Sequence, residues 1–167
     1  MIKLKGSSIL EIIIATALIS IAIIAALSLM NNSQKQNTYA RDLAEATKYA
    51  TQAAEWLRTE RDRIGWGSIV SKVNQDALST GSTNSVYCLN FLPNIEALDY
   101  KDFTDLIPET CADNDYIPSV PTNVFQRELS INTTNPDKLN ITITVSWPWT
   151  KDTKHQAKIE MELAQWL

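Results

Sequence analysis

The feature that most constrains the fold is an uncharged apolar segment near the amino terminus, residues 12–30. It consists mostly of Ile, Leu and Ala, interrupted only by the hydroxyl side chains of Thr16, Ser20 and Ser28. A helix needs about 20 predominantly apolar residues to cross the hydrocarbon core of a bilayer. We therefore predict that residues 9–30 form the transmembrane part of a helix.

Basic residues flank this segment unequally. Lys3 and Lys5 precede it, whereas the next charged residue after it is Lys35. Cytoplasmic flanks of transmembrane helices carry the excess of Lys and Arg. The sequence therefore predicts a single-pass protein of the inner (cytoplasmic) membrane, with a cytoplasmic amino terminus and the rest of the chain outside.

Glu11 is a charged residue at the start of the apolar segment. A carboxylate inside the hydrocarbon region costs roughly 3 kcal/mol or more unless it is paired, and such residues are usually functional. The residues alone leave two interpretations open. Glu11 either lies at the headgroup level beside Lys5 and has no role, or it lies inside the apolar block and needs a cation.

The helical pattern continues beyond the apolar segment. The sequence becomes polar from Asn31, but a stripe of apolar residues recurs at spacings of three, four or seven. The stripe consists of Tyr39, Leu43, Ala46, Ala50, Ala53, Leu57 and Ile64. No Gly or Pro occurs in residues 7–64, and Gly65 and Gly67 follow directly. Because glycine is common just past a helix end, we predict one helix over residues 7–64, amphipathic in its second half.

The carboxyl-terminal part of the chain predicts an antiparallel sheet. Apolar and polar residues alternate over residues 139–147 and 157–163, as in half-buried strands. A third strand is predicted over residues 125–131, although Arg127 falls on its apolar face. We therefore expect an α+β fold in which a sheet of about three strands, within residues 124–167, packs on the second half of the long helix.

Residues 65–123 form the least regular part of a globular region that spans residues 65–167. Residues 68–78 suggest a short helix and residues 86–92 a short strand, and the remainder is rich in proline and polar residues. We therefore treat residues 65–123 as a connecting loop region.

Both cysteines of the chain, Cys88 and Cys111, lie in this region. An even pair in an oxidising compartment favours a disulfide, worth about 3 kcal/mol by loop-closure arguments. A zinc site needs more ligands than these two and the single His155. The sequence therefore predicts a disulfide and no metal site.

Other kinds of functional site have little support in the sequence. There is one histidine, no nucleophile motif and no phosphate-binding glycine loop, so we predict no enzymatic activity and no cofactor, and His155 is expected at the surface. The net charge is −4 and the basic residues are scattered, so no nucleic acid is predicted as a partner.

Acidic residues from Asp99 to Asp115 suggest a calcium site. They lack the glycine and the distal glutamate of a known calcium-binding loop, which favours a solvated acidic face. Asn132 and Asn140 begin glycan acceptor patterns.

The amino-terminal residues resemble the signature of type IV prepilins, in which a short basic leader ends in Gly and a Glu follows five residues later. Here the leader is residues 1–6, the predicted cleavage lies between Gly6 and Ser7, and the matching carboxylate is Glu11. The resemblance implies cleavage by a prepilin peptidase, N-methylation of Ser7, and pairing of Glu11 with the terminal amine of a neighbouring subunit. It also implies a pilin-like fold with a long spine helix and a carboxyl-terminal sheet. A secretory signal peptide with a cleavage site near Ala26 is the competing account, and Glu11 argues against it.

A looser resemblance extends further along the chain. Residues 53–62, followed by Trp66, are similar to a stretch of PilV-like minor pilins, as is the ending from residue 145 onward. The two resemblances together cover residues 1–66 and 139–167 and leave the middle unassigned.

Three functional classes follow as expectations. The first is a structural subunit of a type IV pilus or related filament, most similar to a minor pilin, at the cell surface. Its expected partners are other pilin subunits, a prepilin peptidase and an inner-membrane assembly platform. The second is a pseudopilin of a type II secretion or DNA-uptake machine. The third is a membrane-anchored extracellular binding domain that never polymerises.

Overall fold

The computed structural model describes residues 9–92, 102–112, 115–118, 124–135, 137–150 and 153–165. Contacts within the chain divide it into two units, Met1–Asp42 and Leu43–Leu167, and we call the second one the head unit. Helix α1, Ile9–Ile64, contributes to both units. Its length follows from the absence of Gly and Pro, since both residues weaken or break helix interiors.

Helix α1 ends where the backbone becomes left-handed. Gly65 has φ of 85°, and its N–H donates to Arg61 O. Glycine adopts positive φ without the steric cost that a Cβ would bring. A second helix, α2, follows directly as Trp66–Thr80 and ends at Gly81, whose φ is 66°. Gly67, which the sequence suggested as part of the helix stop, lies inside α2.

Among the described residues, four strands form one antiparallel sheet: β1, Asn84–Cys88; β2, Gln126–Asn135; β3, Lys138–Thr150; and β4, Thr153–Ala164. Their spatial order is their chain order, β1-β2-β3-β4. A 3-10 helix, Phe103–Asp105, lies in the connection between β1 and β2. The fold is therefore α+β, as predicted.

The inner face of the sheet and the second part of α1 share one core. The register places Tyr87, Leu129, Ile143 and Ile159 in one row across the four strands. The first three are fully buried. From α1 the core receives Ala46, Ala50, Ala53, Ala54, Trp56 and Leu57, all buried. Four of these six are alanines, so α1 contributes mostly small side chains to this core.

The number of strands differs from the prediction. The sheet has four strands rather than about three, because Asn84–Cys88 in the connecting region pairs with β2. Its buried residues are Ser85 and Tyr87, so its inner face is half polar and the strand lacks a clear apolar alternation. The third predicted strand, residues 125–131, is also longer than expected and reaches Asn135.

Candidate functional site

The first candidate site is the apolar part of α1. Each described side chain of residues 11–40 is exposed, and the large apolar ones from Ile12 to Met30 range from 51% exposed at Ile14 to 72% at Leu29. By length and composition this helix could cross a membrane, and none of its most apolar part is buried. Within the described residues, nothing covers this surface. A long uncovered apolar surface marks a site of contact with a membrane or another protein.

Two hydroxyl groups within this segment are satisfied inside the helix. Thr16 Oγ1 donates to Ile13 O at 3.0 Å, and Ser20 Oγ donates to Thr16 O at 2.8 Å. Polar groups in an apolar surrounding must find partners within the protein. These two side chains are therefore compatible with an apolar environment.

Glu11 is the charged exception in the first turn of α1. Its side chain is exposed, and no described residue forms a hydrogen bond or ion pair with its carboxylate. A carboxylate near a helix amino terminus interacts favourably with the helix dipole, but this gives it no counter-ion. The predicted cleavage residues Gly6 and Ser7 lie outside the described residues, as do Lys3 and Lys5.

The predicted disulfide is confirmed in the head unit. Cys88, the last residue of β1, is bonded to Cys111, with their Cα atoms 4.8 Å apart. The bond fixes a segment without regular structure to the sheet. Cys111 N also donates to Glu128 Oε1 at 3.1 Å, and Gln126 Nε2 donates to Ala112 O at 2.6 Å.

Arg127 is a buried cation that the sequence pattern did not explain. Its side chain is on the inner face of β2, and the residue is 2% exposed. Nε donates to Leu89 O at 2.8 Å and Nη1 donates to Tyr49 O at 2.9 Å. Burial lowers the pKa of the Arg127 guanidinium to about 10. The guanidinium thus connects α1, β2 and the segment after β1.

A second buried charge connects α1 to the 3-10 helix. Glu60 is fully buried and accepts hydrogen bonds from Arg63 Nη2 at 2.9 Å and from Phe103 N at 3.2 Å. Arg63 Nη2 also lies 3.4 Å from Asp102 Oδ2. Hydrogen bonds from Thr104, and then the Arg63 charge, hold the pKa of Asp102 below its usual value.

A third polar cluster lies between α2 and β1. Tyr87 is fully buried, and its hydroxyl donates to Asp76 Oδ2 at 2.6 Å. Lys72 Nζ donates to both carboxylate oxygens of Asp76 at 2.7 Å. Burial, and then the hydrogen bond and charge of Asp76, raise the pKa of Tyr87 well above its usual value. All three clusters occupy interior positions that hold elements together.

The acidic residues do not form a calcium loop among the described positions. Asp102 and Asp105 form a capping box at the 3-10 helix. Asp99, Asp113 and Asn114 lie outside the described residues. The described cluster that could offer three metal ligands is Cys88, Cys111 and Asp115, but its two sulfur atoms are joined in the disulfide and offer no thiolate.

The structure also shows the surroundings of His155 and of the two asparagines that begin glycan acceptor patterns. His155 is half-buried rather than at the surface, with its ring centroid 4.6 Å from that of Trp149 and 5.5 Å from that of Trp147. Asn132 donates from Nδ2 to Asn84 Oδ1. The side chain of Asn140 is exposed on the outer face of β3.

Comparisons with protein-family models, with curated proteins and with solved structures find no match.

Proposed function

We propose that this chain is a structural subunit of a filament of the type IV pilus class, and within that class a minor pilin. The observation that carries the proposal is the uncovered apolar surface of α1, residues 12–30, with Glu11 at its start. This surface cannot remain in water, because each large apolar side chain contributes roughly 1.5–3 kcal/mol when it is buried. In the proposed function, a bilayer covers this apolar surface before assembly, and the equivalent helices of other subunits cover it afterwards.

Glu11 supports assembly over simple anchoring. An isolated membrane anchor has no use for a carboxylate without a described partner, and its burial opposes insertion. In the proposed filament, the amine of Ser7 from a neighbouring subunit pairs with Glu11 after cleavage behind Gly6. The pair satisfies the charge and fixes the axial register between subunits.

The head unit is compatible with the outer side of a membrane. Disulfides persist in oxidising compartments, and the head unit contains the Cys88–Cys111 bond. The uneven distribution of Lys3, Lys5 and Lys35 independently favours a cytoplasmic amino terminus. Both features favour a head that faces outward, and the similarity of residues 53–66 to PilV-like minor pilins favours the minor class.

The proposal is tested by the mass of the mature chain. The full chain is produced in a bacterial host with and without a prepilin peptidase, and the membrane form is measured by intact mass spectrometry. We expect the co-produced form to begin at Ser7 with one added methyl group. If Met1 and the leader are retained in the presence of an active peptidase, the chain is a tethered extracellular domain and the proposal is wrong.

The role of Glu11 is tested by a Glu11→Ala variant in a host that assembles filaments. We expect the variant to be processed normally but to enter sheared filaments at least about tenfold less, since a buried unpaired amine remains. Glu55→Ala is the matched control, because Glu55 lies on the same helix outside the apolar segment and its side chain is 62% exposed. Equal incorporation of both variants would contradict a register role for Glu11.

A further inference from the structure

Strand β4 forms one edge of the sheet. Within the described residues, it pairs with β3 alone, over Thr153–Ala164. An edge strand presents a row of unpaired N–H and C=O groups on its free side, which can pair with another strand. At 12 residues, β4 offers more of these groups than β1, which has five.

The outer face of β4 carries both signs of charge in a defined order. Its exposed residues are Lys154, Gln156, Lys158, Glu160 and Glu162. Charged residues on an edge usually prevent association, and a row of one sign would do so. Here the basic residues occupy the first half and the acidic residues the second half. Two such strands in antiparallel orientation therefore present opposite charges to each other.

We propose that β4 is a self-association surface that pairs with β4 of a second copy of this chain. The strands run antiparallel, and the two-fold axis passes between Ile159 and Ile159 of the second copy. Lys158 then lies directly opposite Glu160 of the second copy, and the same pair occurs again across the axis. The result is a continuous sheet of eight strands. This inference does not depend on the proposed filament function.

The order of the charges selects this register over its neighbours. A shift by two residues in one direction places Lys158 opposite Lys158, and a shift in the other direction places Glu160 opposite Glu160. Like charges directly opposite each other destabilise a strand pair, whereas opposite charges stabilise it. A shift by one residue would turn the inner row of one copy toward the outer face of the other. Pairing centred on Ile159 avoids all three conflicts.

The inner row of β4 gives an independent reason for a partner. Ile159 and Met161 point toward the core but are only half-buried, whereas Ile143 and Ile141, their partners on β3, are buried. In the proposed register, Ile159 meets Ile159 and Met161 meets Ala157 of the second copy. Pairing therefore removes apolar surface from water that the single head unit leaves partly uncovered.

The symmetry determines which copies can associate. A two-fold axis that relates antiparallel strands of one sheet is perpendicular to that sheet. Residues 43–64 of α1 lie along the inner face, so this part of the helix points in opposite directions in the two copies. Subunits of one polar filament all point the same way. The contact therefore joins copies that approach each other from opposite directions, rather than neighbours within one filament.

Single-cysteine variants of the full chain in detergent test the register. The two native cysteines are bonded to each other, so an added cysteine is the reactive one. Directly opposite residues in an antiparallel pair have Cα atoms about 4.5–5.5 Å apart, within reach of a disulfide. We expect Ile159→Cys to form a crosslinked dimer at least about tenfold faster than Lys158→Cys, because only position 159 meets itself. Equal rates, or faster crosslinking of Lys158→Cys, would overturn the register.

Charge reversal tests the partner without altering the inner face. We expect Lys158→Glu to lower the dimer fraction about tenfold, and the double variant K158E/E160K to restore it. Lys154→Glu is the matched control, because it makes the same charge change on the same strand but faces uncharged Ala164 of the second copy. Sedimentation in detergent gives the dimer fraction even if Ile159→Cys misfolds. Failure of the double variant to restore a dimer that Lys158→Glu loses would overturn the proposal, as would a monomeric wild type.

Discussion

Tyr87 is a neutral phenol held in the core of the head unit by the carboxylate of Asp76. Because the Asp76 oxygen lies 2.6 Å from the Tyr87 hydroxyl, ionised Tyr87 would place two negative charges side by side in a buried site. Burial, and then the hydrogen bond and charge of Asp76, raise the pKa of Tyr87. Tyr87 therefore stabilises the fold in its protonated form, and folding opposes the loss of its proton.

This contribution predicts a loss of stability in alkali. The unfolded chain releases the Tyr87 proton above about pH 10, whereas the folded chain retains it. Its contribution is therefore complete below pH 10 and falls by up to about 1.4 kcal/mol for each pH unit above it. We expect Tyr87→Phe to cost about 1 kcal/mol at neutral pH and to remove this alkaline slope. Denaturation curves at several pH values check it, with Tyr39→Phe as a control that keeps the slope.

Arg127 shows why some interior residues could not be predicted. A basic residue on the apolar side of a strand lowers the quality of an alternating pattern, and the sequence gives no hint of its partners. Those partners are backbone carbonyls of Leu89 and Tyr49, 38 and 78 positions away. Every residue type carries a backbone carbonyl, so such a contact leaves no trace in composition or spacing. Fully buried Glu60 was missed for a related reason, since its ligand at Phe103 is a backbone N–H.

At the scale of elements, the long helix and the last two strands were predictable because each repeats one pattern over many residues. The alanine positions of α1 and the alternation in β3 and β4 depend on a single buried face. For β1 the sequence suggested a short strand over residues 86–92, whereas the strand is Asn84–Cys88; with five residues and Ser85 in the interior, its bounds could not be read from periodicity. Its position follows instead from pairing with β2 and from the disulfide at its end.

Because the buried side chains of α1 are mostly small, we expect the stability of the head unit to fall when a larger side chain replaces one of them. Ala50 is fully buried in the core of the head unit, whereas Ala44 on the same helix is exposed. We expect Ala50→Leu to lower the free energy of unfolding of the head unit by about 1–3 kcal/mol, because added methylenes overfill a packed contact. Chemical denaturation followed by tryptophan fluorescence measures it. Ala44→Leu is the matched control and should change stability little, and an equal effect of both would contradict the packing account.

At the scale of the whole molecule, a covalent bond holds the connecting region to the sheet. The cysteines are 23 residues apart, and the closed loop includes the 3-10 helix that binds Glu60. Removing the bond increases the freedom of the unfolded chain. We expect the C88A/C111A variant to lose about 3 kcal/mol of stability and wild-type protein in reductant to lose a similar amount. An unchanged denaturation midpoint in both would show that the loop is held by its other contacts alone.

The candidate site was predictable in part for a different reason. The apolar segment and Glu11 can be recognised from the sequence alone, because the length of an uncharged segment and the position of a charge depend only on the order of residue types. The free edge of β4 is not, since it depends on which strand ends the sheet. The charges on β4 alternate with apolar residues in the sequence, but only the strand order shows that they belong to an edge strand.

The contact between Arg127 and Tyr49 joins two residues that are synthesised at different times. A ribosome that adds about 5–20 residues per second makes the 78 residues between them in roughly 4–16 seconds. Over most of that interval the alanine stripe of the helix has been synthesised, whereas nearly all of strands β2, β3 and β4 has not. Newborn chains therefore pass through a stage in which this stripe is open to chaperones and to proteases.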